Sequence, residues 1–361
     1  LAGCLAQRYG DELATELEEA DALFGNTDLS RITEAAELAM AASHTALVPP
    51  LDPTGRTDFA RCSDDRPLLS LPGSAYVKIT EGCDNRCTYC AIPLIRGNLR
   101  SRTIDSIVAE CSGLLQRGVK ELCLIGQDLG SYGKDGANGA FEPGQCRLPE
   151  LLSALSDLAG EFWIRLLYIH PDNFPMEILN LCKKDPRILP YFDLPFQHAS
   201  KNILRLMNRR GDSETYLDLI ATIRRELPDA TIRSTFLVGF PGETEEDMDI
   251  LLDFQQKAHL DWLGVFTYSR EEDTPAYSMK GRVPKKVAEG RKQRIESAQI
   301  PITEKRMDRF VGKTLPVLVE ERVENEDGLY IGRTVCQAPE VDGATVLSSD
   351  YTLTPGTIVS A

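Results

Sequence analysis

Six short apolar segments alternate with amphipathic helical segments between residue 74 and about residue 268. Segments of this length that are bounded by turn residues are typical of buried strands, and the helical spacing between them is typical of surface crossovers. The alternation favours an α/β fold in which parallel strands close fully or partly into a (βα)6-type barrel. Reactive groups are then expected at the carboxyl ends of the strands. The predicted strands are Tyr76–Ile79, Leu122–Ile125, Trp163–Ile169, Tyr191–Leu194, Ile232–Gly239 and Leu263–Tyr268.

The segments on either side of this alternation have different patterns. Residues 1–25 predict a strand, a helix and a strand, at Leu1–Cys4, Asp11–Glu19 and Asp21–Gly25. Residues 26–72 predict a linker that carries a helix over Arg31–Ala42 and a proline-rich connector at Pro49–Pro53. A charged helix over Lys285–Arg309 leads to residues 307–361, where four short alternating segments predict a small antiparallel β-barrel.

The charge and composition of the chain limit its partners. Its 361 residues carry a formal charge of -15, which argues against broad nonspecific binding of polyanions. No apolar run long enough to span a membrane and no signal peptide occur, so no membrane partner is expected. Ten cysteines without framework spacing suit a reducing cytoplasm, where we expect the protein to act. The chain begins at Leu1 inside an apolar segment, and we expect it to be truncated.

Three cysteines lie in one short polar loop directly after the first predicted strand. Cys83, Cys87 and Cys90 are spaced C-x3-C-x2-C, and Pro93 and Gly97 follow, so no helix is predicted through the thiols. Structural zinc usually takes four ligands, and iron–sulfur cubanes are usually held by four cysteines. Three thiols without a near fourth therefore suggest a cubane with one iron open to a small molecule. A zinc site completed by a distant His or Cys, and three unrelated thiols, stay open as alternatives.

The same loop resembles the signature of the radical S-adenosylmethionine (SAM) enzymes, with the aromatic residue Tyr89 before the last cysteine. The segment Gly3–Gln7 resembles the end of the N-terminal domain of methylthiotransferases, and the region from about Met307 resembles a TRAM domain. Together these segments identify the chain as a member of the radical SAM methylthiotransferase family. It is most similar to the branch that modifies the twelfth protein of the small ribosomal subunit, in the segments Ile92–Gly97, Arg100–Arg102, Gly126–Asp128, Tyr168–Pro171, Asp193–Ser200 and Ala338–Gly343.

The resemblance implies a division of the chain and a mechanism. It implies an N-terminal domain remnant (1–25), a linker (26–72), a radical SAM core (73–306) and a TRAM-like domain (307–361). Cys83, Cys87 and Cys90 would hold a 4Fe-4S cluster whose open iron binds the amino and carboxylate groups of SAM. An electron passed through the cluster cleaves SAM to methionine and a 5′-deoxyadenosyl radical, which removes hydrogen from an unactivated β-carbon. A second SAM supplies the methyl group, and the implied product is a β-methylthiolated aspartate.

Residues after other predicted strands are candidates for contact with SAM, on the same resemblance. An ordinary turn is the alternative for the glycine-containing segments, and a structural role is the alternative for the histidine. The candidates are Tyr89 in the cysteine loop, Gly126, Gln127 and Asp128 after the second strand, Gln197 and His198 after the fourth, and Gly239 and Gly242 after the fifth. Three arginines, Arg96, Arg100 and Arg102, are predicted either to hold a carboxylate bidentately or to lie in a solvated basic loop.

Cys4 raises the question of a second cluster. In the family the N-terminal domain donates three cysteines to a second 4Fe-4S cluster, the site that handles sulfur. Cys4 matches the last of these, and its two partner cysteines are absent from this chain, so the second cluster is doubtful as written. Cys62 is a conceivable substitute but matches no family position. The other cysteines are predicted to be packing residues.

Charge separates the two substrates found in the family. From Met307 to Ala361 four basic residues stand against nine acidic ones, a net charge of −5. A tRNA-binding module is expected to carry a basic stripe, whereas an acidic surface suits a basic ribosomal protein. The predicted partners are therefore a small-subunit ribosomal protein as substrate, an electron donor and a sulfur donor. A tRNA adenosine as substrate is the first alternative, and a noncatalytic iron–sulfur or zinc module is an alternative from another class.

Overall fold

A small α/β unit opens the computed structural model, which describes residues 1–26, 29–41, 45–48 and 67–361. Its elements are α1 (Cys4–Glu16), β1 (Ala22–Phe24), α2 (Ile32–Met40) and β2 (Thr45–Leu47), and β1 pairs with β2 in parallel. The predicted strand at Leu1–Cys4 and the predicted helix start at Asp11 are wrong. Only Ala2 bridges to Phe24, because Gly3 adopts a φ of 120° that turns the chain away from the strand, and the helix begins at once. The Pro49–Pro53 connector and Cys62 lie outside the described residues.

A six-stranded parallel sheet forms the centre of the molecule. Its strands lie in chain order and pair only with their neighbours along the chain, each joined to the next by a crossover that contains at least one helix. The fold-class prediction is therefore confirmed, because chain-order parallel strands are the arrangement of an open (βα)6 barrel. The elements are β3 (Ser74–Lys78), β4 (Thr80–Glu81), α3 (Ile92–Arg96), β5 (Arg100–Ser101), α4 (Ile104–Gln116), β6 (Glu121–Ile125), α5 (Leu148–Ser156), β7 (Trp163–Leu166), α6 (Glu177–Lys184), β8 (Ile188–Asp193), α7 (Lys201–Leu206), α8 (Ser213–Glu226), β9 (Thr231–Val238), α9 (Glu245–Ala258) and β10 (Trp262–Thr267).

The two faces of this sheet have different surroundings. Ala75 and Val77 of β3, with Leu122 and Leu124 of β6, belong to the main apolar core together with buried residues of the helices. Alternate residues such as Tyr76 face the other way and pack with residues of the C-terminal domain. Successive side chains of a strand point to opposite faces of the sheet. One face can therefore pack against the helices while residues on the other face form a site.

The C-terminal domain docks on the face of the sheet that carries Tyr76, which is called the inner face below. Helix α10 (Lys285–Met307) leads into an antiparallel sheet of β11 (Pro316–Arg322), β12 (Leu329–Thr334), β13 (Thr345–Ser348) and β14 (Ile358–Ser360), in the order β13-β12-β11-β14. Arg333 of β12 reaches Glu121 of β6 at 2.6 Å, and Arg165 of β7 reaches the same carboxylate at 2.7 Å. The indole of Trp262 donates to the carbonyl of Cys336 at 2.7 Å. The two domains therefore share one buried polar interface.

The charges of this interface are strongly coupled. Burial alone would raise the pKa of Glu121, but Arg165 and Arg333 outweigh it and hold that pKa at about 2. The carboxylate therefore stays ionised between two guanidinium groups.

The helices of the described part of the chain are each too short or too polar to span a lipid bilayer.

Candidate metal centre and cofactor cavity

The three-cysteine loop connects β4 to α3 at the carboxyl end of β3. Gly82 has a φ of 74°, and a Cβ there would lie 2.0 Å from the carbonyl oxygen of Asn98, so only glycine fits. The N–H of Cys83 donates to the carbonyl of Gly97 at 3.2 Å, and the N–H of Cys90 donates to the carbonyl of Cys87 at 3.1 Å. These contacts fold the loop back on itself, so that Cys83, Cys87 and Cys90 all remain partly exposed.

The far side of the loop is held by the end of α7. The N–H and hydroxyl of Thr88 donate to the carbonyls of Met207 and Leu206, at 3.1 and 2.8 Å. The side chain of Asn208 donates to the carbonyl of Arg86 at 3.0 Å, and Arg86 itself has a left-handed φ of 53°. Such a conformation costs a non-glycine residue about 1–3 kcal/mol, and it persists here because the neighbouring hydrogen bonds impose it.

Asp128 is the residue that ties this loop to the next strand. It is buried, and its Oδ2 accepts from Asn85 of the loop at 2.9 Å and from Asn173 at 2.8 Å. Its Oδ1 accepts from the N–H groups of Gly130 and His170, at 2.9 and 3.0 Å. Asn85 in turn donates to the thiol of Cys83 at 3.4 Å. Asp128 therefore orients the cysteine loop through Asn85, and its oxygens are engaged by protein groups.

The surroundings of Cys83 and Cys90 favour the protonated thiol over the thiolate. Burial, together with the charges of Asp128 and the other two thiols, raises the pKa of Cys83 to about 11 against one backbone hydrogen bond that lowers it. Burial, with Cys87, also raises the pKa of Cys90. Because the thiols influence one another electrostatically, they lie near each other. Binding of iron must displace protons from them, so cluster loading should be favoured by higher pH.

The three thiols of the loop suit an iron–sulfur cluster and an isolated zinc ion to different degrees. Among the described residues, no three His, Cys, Asp or Glu side chains gather closely enough to hold a single ion. A zinc ion requires its ligands to converge on one atom, whereas each cysteine of a cubane binds a different iron. Three neighbouring thiols in one preorganised loop therefore fit a cluster better than an isolated zinc ion.

Tyr89 anchors the loop to the fifth strand-to-helix turn. Its ring packs edge-on against Phe240 with centroids 6.4 Å apart, and its hydroxyl accepts from Arg209 at 3.3 Å. Burial raises the pKa of this phenol, only partly offset by the guanidinium of Arg209. The neutral ring is thus a packing contact beneath the thiols.

A cavity of about 410 Å³ opens beside the loop on the inner face of the sheet. Gly126 and Gln127 line it at the end of β6, and a Cβ on Gly126 would lie 2.1 Å from the hydroxyl of Thr80. Gln127 Oε1 and Thr80 Oγ1 are both buried without a hydrogen-bond partner in the structure. Buried polar atoms are rarely left unpaired, so Gln127 Oε1 at the cavity wall has unused hydrogen-bonding capacity.

Other predicted site residues lie in the packing around the cavity. His198 is fully buried, its Nδ1 accepts from the N–H groups of Ala199 and Ser200, and burial lowers its pKa to about 3. Gln197 has a left-handed φ of 68° and pairs its backbone with β9. The structure therefore places a neutral His198 in the core, at the start of α7, and not in the cavity wall.

The glycine-containing turn after β9 faces α10. The N–H of Gly239 donates to both carboxylate oxygens of Glu243 at 3.0 and 2.9 Å, and Arg291 of α10 holds the same carboxylate at 2.7 Å. A Cβ on Gly239 would lie 2.5 Å from that of Ala288. Gly242 donates its N–H to the carbonyl of Gly281 at 2.8 Å. These glycines permit close packing of the turn against α10.

The three arginines fulfil structural roles. Arg102 is buried, paired with Glu110 at 2.5 Å and bonded to the carbonyl of Lys78. Arg100 is buried at β5, and Arg96 pairs with Glu81 at 2.5 Å. Arg96 also donates to the thiol of Cys4 at 3.3 Å. The structure therefore places Cys4 next to α3, which directly follows the three-cysteine loop.

Sequence reasoning missed the residues that form most of the cavity wall. They include Tyr76 and Lys78 of β3, Tyr168 after β7, Asp193 of β8 and Arg233 of β9. Pro339, Glu340 and Val341 of the C-terminal domain complete the wall. Charged and aromatic residues at every second position of otherwise buried strands were the available signal, because such residues face inward only where they serve a site or an interface.

The sequence matches two family models, the radical SAM superfamily over residues 77–254 and the TRAM domain over residues 311–361. Among solved structures, the cobalamin-dependent S-adenosylmethionine radical enzyme OxsB aligns with a TM-score of 0.48 at 12% identity, over 82% of this chain and 43% of that one. The "Ribosomal protein uS12 methylthiotransferase RimO" of Treponema denticola is 47% identical to this chain, and the alignment covers 100% of this chain and 82% of the Treponema protein. The protein of the same name from Carboxydothermus hydrogenoformans is 41% identical, and the alignment covers 100% of this chain and 79% of that protein. At this identity over nearly the full length, the chain belongs to the radical SAM methylthiotransferase family that includes RimO.

Proposed function

We propose that this protein adds a methylthio group to the β-carbon of an aspartate of ribosomal protein uS12. The observation that carries the proposal is the position of three neighbouring, partly exposed thiols in a loop at the carboxyl end of β3, beside a cavity with an unpaired polar atom at its wall. The sequence relationship to RimO proteins supports the choice of reaction and of uS12 as substrate.

The proposal assigns Cys83, Cys87 and Cys90 as the ligands of a 4Fe-4S cluster and the cavity as the SAM site. When bound, the cluster and SAM supply the one-electron chemistry that acid–base groups cannot perform on an unactivated carbon. Gln127 Oε1, at the cavity wall, offers an acceptor for the polar end of SAM. The protein thus contributes orientation, an unpaired acceptor and a partly enclosed cavity.

Cys4 is proposed to belong to the second cluster site of the family. Its thiol accepts from Arg96 at 3.3 Å and from Asn26 at 3.2 Å. The location beside α3 puts it on the same side as the SAM cluster loop. An electron donor and a sulfur donor are the further reactants that the proposed reaction requires.

We expect anaerobically reconstituted protein with SAM, reductant and a sulfide source to produce methylthiolated uS12, detected as a mass gain on one aspartate-containing peptide. The control is the same reaction with tRNA, in which no modified adenosine should form. The tail charge of −5 motivates this preference, because it disfavours a phosphate backbone. Methylthio-adenosine in tRNA with unmodified uS12 would make this protein a tRNA enzyme instead.

Asp128 should be needed for a stable cluster loop. In Asp128→Asn one oxygen becomes an amide that cannot accept from Asn85, Ser131 or Asn173, so Asn85 loses its anchor. We expect iron occupancy and 5′-deoxyadenosine formation to fall by about 10–100-fold, as for other groups that orient metal ligands. Absorbance of the reconstituted cluster and quantified nucleoside product provide the measurement. Asp157→Asn, at an exposed position, is the control, and equal activity of the two variants would show that Asp128 does not orient the loop.

A further inference from the structure

Glu340 is an acidic residue in the cavity wall for which the reaction chemistry gives no role. It lies in the C-terminal domain, lines the cavity with Pro339 and Val341, and has an exposed side chain. Its side chain makes no hydrogen bond or ion pair with any described residue. Its φ of 68° is left-handed, which is unfavourable for a glutamate. Strained non-glycine residues cluster at functional sites, and Tyr168 in the same wall has a φ of 66°.

The backbone that carries Glu340 is held firmly in place. Asp342, two residues on, is buried and accepts from the N–H of Ala338 at 2.9 Å, which closes the loop on itself. The same carboxylate bonds the hydroxyl of Tyr191 and pairs with Arg233 at 3.2 Å, both on the inner face of the sheet. Glu340 is therefore presented to the cavity by a loop that is anchored to the barrel strands.

The positive groups of the cavity already have partners. Arg233 is paired with Asp193 at 3.0 Å as well as with Asp342, and Lys78 is paired with Glu81 at 2.6 Å. Burial, together with the charges of Cys123 and Glu340, raises the pKa of Tyr76 to about 12. One carboxylate in the wall thus remains uncompensated.

Apolar residues share the cavity wall with this carboxylate. Pro339, Val341 and the 47% exposed ring of Tyr168 line the same cavity. A lysine or arginine side chain carries an apolar stem and a cationic head, and its stem would pack on such a surface while its head meets the carboxylate. The face of a tyrosine ring also attracts a cation. A cationic side chain complements the charge of Glu340, whereas an anionic one would be repelled.

We propose that Glu340, with Tyr168, forms a subsite that recognises a lysine or arginine side chain near the modified residue of the substrate protein. The inference rests on the proposed function, because it specifies how that same cavity selects its protein substrate. Glu340 is a specificity-determining residue and takes no part in SAM cleavage. The C-terminal domain therefore contributes directly to the reaction cavity a side chain that recognises the substrate.

Replacing the charge alone tests the subsite. Glu340→Gln should raise the KM for uS12 about 5–20-fold, the range expected for a partly desolvated ion pair, and the increase should shrink in high salt. Glu326→Gln removes an exposed acid from the same domain and is the matched control. An unchanged KM for Glu340→Gln, with wild-type protein modifying uS12 normally, would overturn the subsite and leave the proposed function standing. Failure of the wild-type protein to modify uS12 would instead overturn the proposed function.

A second variant separates recognition from folding. Glycine adopts a φ of 68° without strain, so Glu340→Gly should keep or raise the Tm while it raises the KM for uS12 as glutamine does. A merely structural Glu340 would lower the Tm instead, which would contradict the inference. Single Lys→Gln or Arg→Gln changes in uS12 identify the cation that pairs with Glu340. For one of these uS12 variants, the wild-type enzyme and the Glu340→Gln enzyme should have the same KM. If the KM of the two enzymes differs for every uS12 variant as much as for unchanged uS12, no cation of the substrate pairs with Glu340.

Discussion

Cys87→Ser protein is expected to form no cluster-dependent 5′-deoxyadenosine from SAM, with activity at least about 100-fold below that of the parent. The serine hydroxyl has almost the volume of the thiol but is a poor ligand for iron, which is held in such clusters by thiolates. Cys87 lies between the two other thiols of the loop, and its neighbours Arg86 and Thr88 are fixed by the end of α7, so no other sulfur can take its place. Cys83→Ser and Cys90→Ser should have the same effect.

The matched control for these variants is Cys146→Ser, a partly buried thiol that packs against the main core outside the loop. It should retain iron and SAM cleavage after anaerobic reconstitution. Iron content and nucleoside product are measured on the same samples. Normal SAM cleavage by Cys87→Ser protein would remove the three-cysteine loop from the mechanism.

Glu121→Gln is expected to destabilise the protein by about 3–5 kcal/mol, because it leaves two buried guanidinium groups without their shared carboxylate. Arg165 and Arg333 approach that carboxylate at 2.7 and 2.6 Å, and the side chains are almost fully buried. Since Arg333 belongs to the C-terminal domain, the loss should also loosen domain docking. Thermal unfolding and limited proteolysis near residue 311 measure the two effects.

The pH dependence of the same group has a defined sign. The folded-state pKa of Glu121 is depressed from 4.5 to about 2, so its stabilisation is fully present above 4.5 and is lost as the pH falls through about 2. The difference in unfolding free energy between parent and Glu121→Gln proteins should therefore narrow below pH 4.5. Glu321→Gln, at an exposed position in β11, should change stability by less than about 0.5 kcal/mol. A Glu121→Gln protein as stable as this control would show that the interface does not depend on the ion network.

The strands were predictable because their apolar period is local. The prediction at Tyr76–Ile79 became β3 at Ser74–Lys78, and Leu122–Ile125 became β6 at Glu121–Ile125. The sequence Thr244-x-x-Asp247 after the fifth predicted strand favours a capping box, and its reciprocal hydrogen bonds are present at the start of α9 because they depend only on residues three apart. The start of the first helix was not predicted, because it depends on the positive φ that Gly3 adopts.

The site was less predictable, because it depends on residues that are distant in sequence. The cysteine loop was found from its spacing alone, but its attachment to Asp128 through Asn85 joins residues 43 positions apart. A histidine after a strand looks like a site residue, yet His198 is enclosed by packing that no local pattern reveals. The contribution of Glu340 to the cavity requires the docking of a whole domain.

Transfer of deuterium from the substrate shows whether this protein removes hydrogen from the β-carbon of the aspartate. Ribosomal protein uS12 made with β-deuterated aspartate is incubated anaerobically with the reconstituted protein, SAM and reductant, and the nucleoside product is examined by mass spectrometry. We expect deuterium in the 5′-deoxyadenosine formed by the parent protein, and none when Cys83, Cys87 or Cys90 is replaced by serine. Methylthiolated uS12 formed while 5′-deoxyadenosine stays free of deuterium would contradict this expectation.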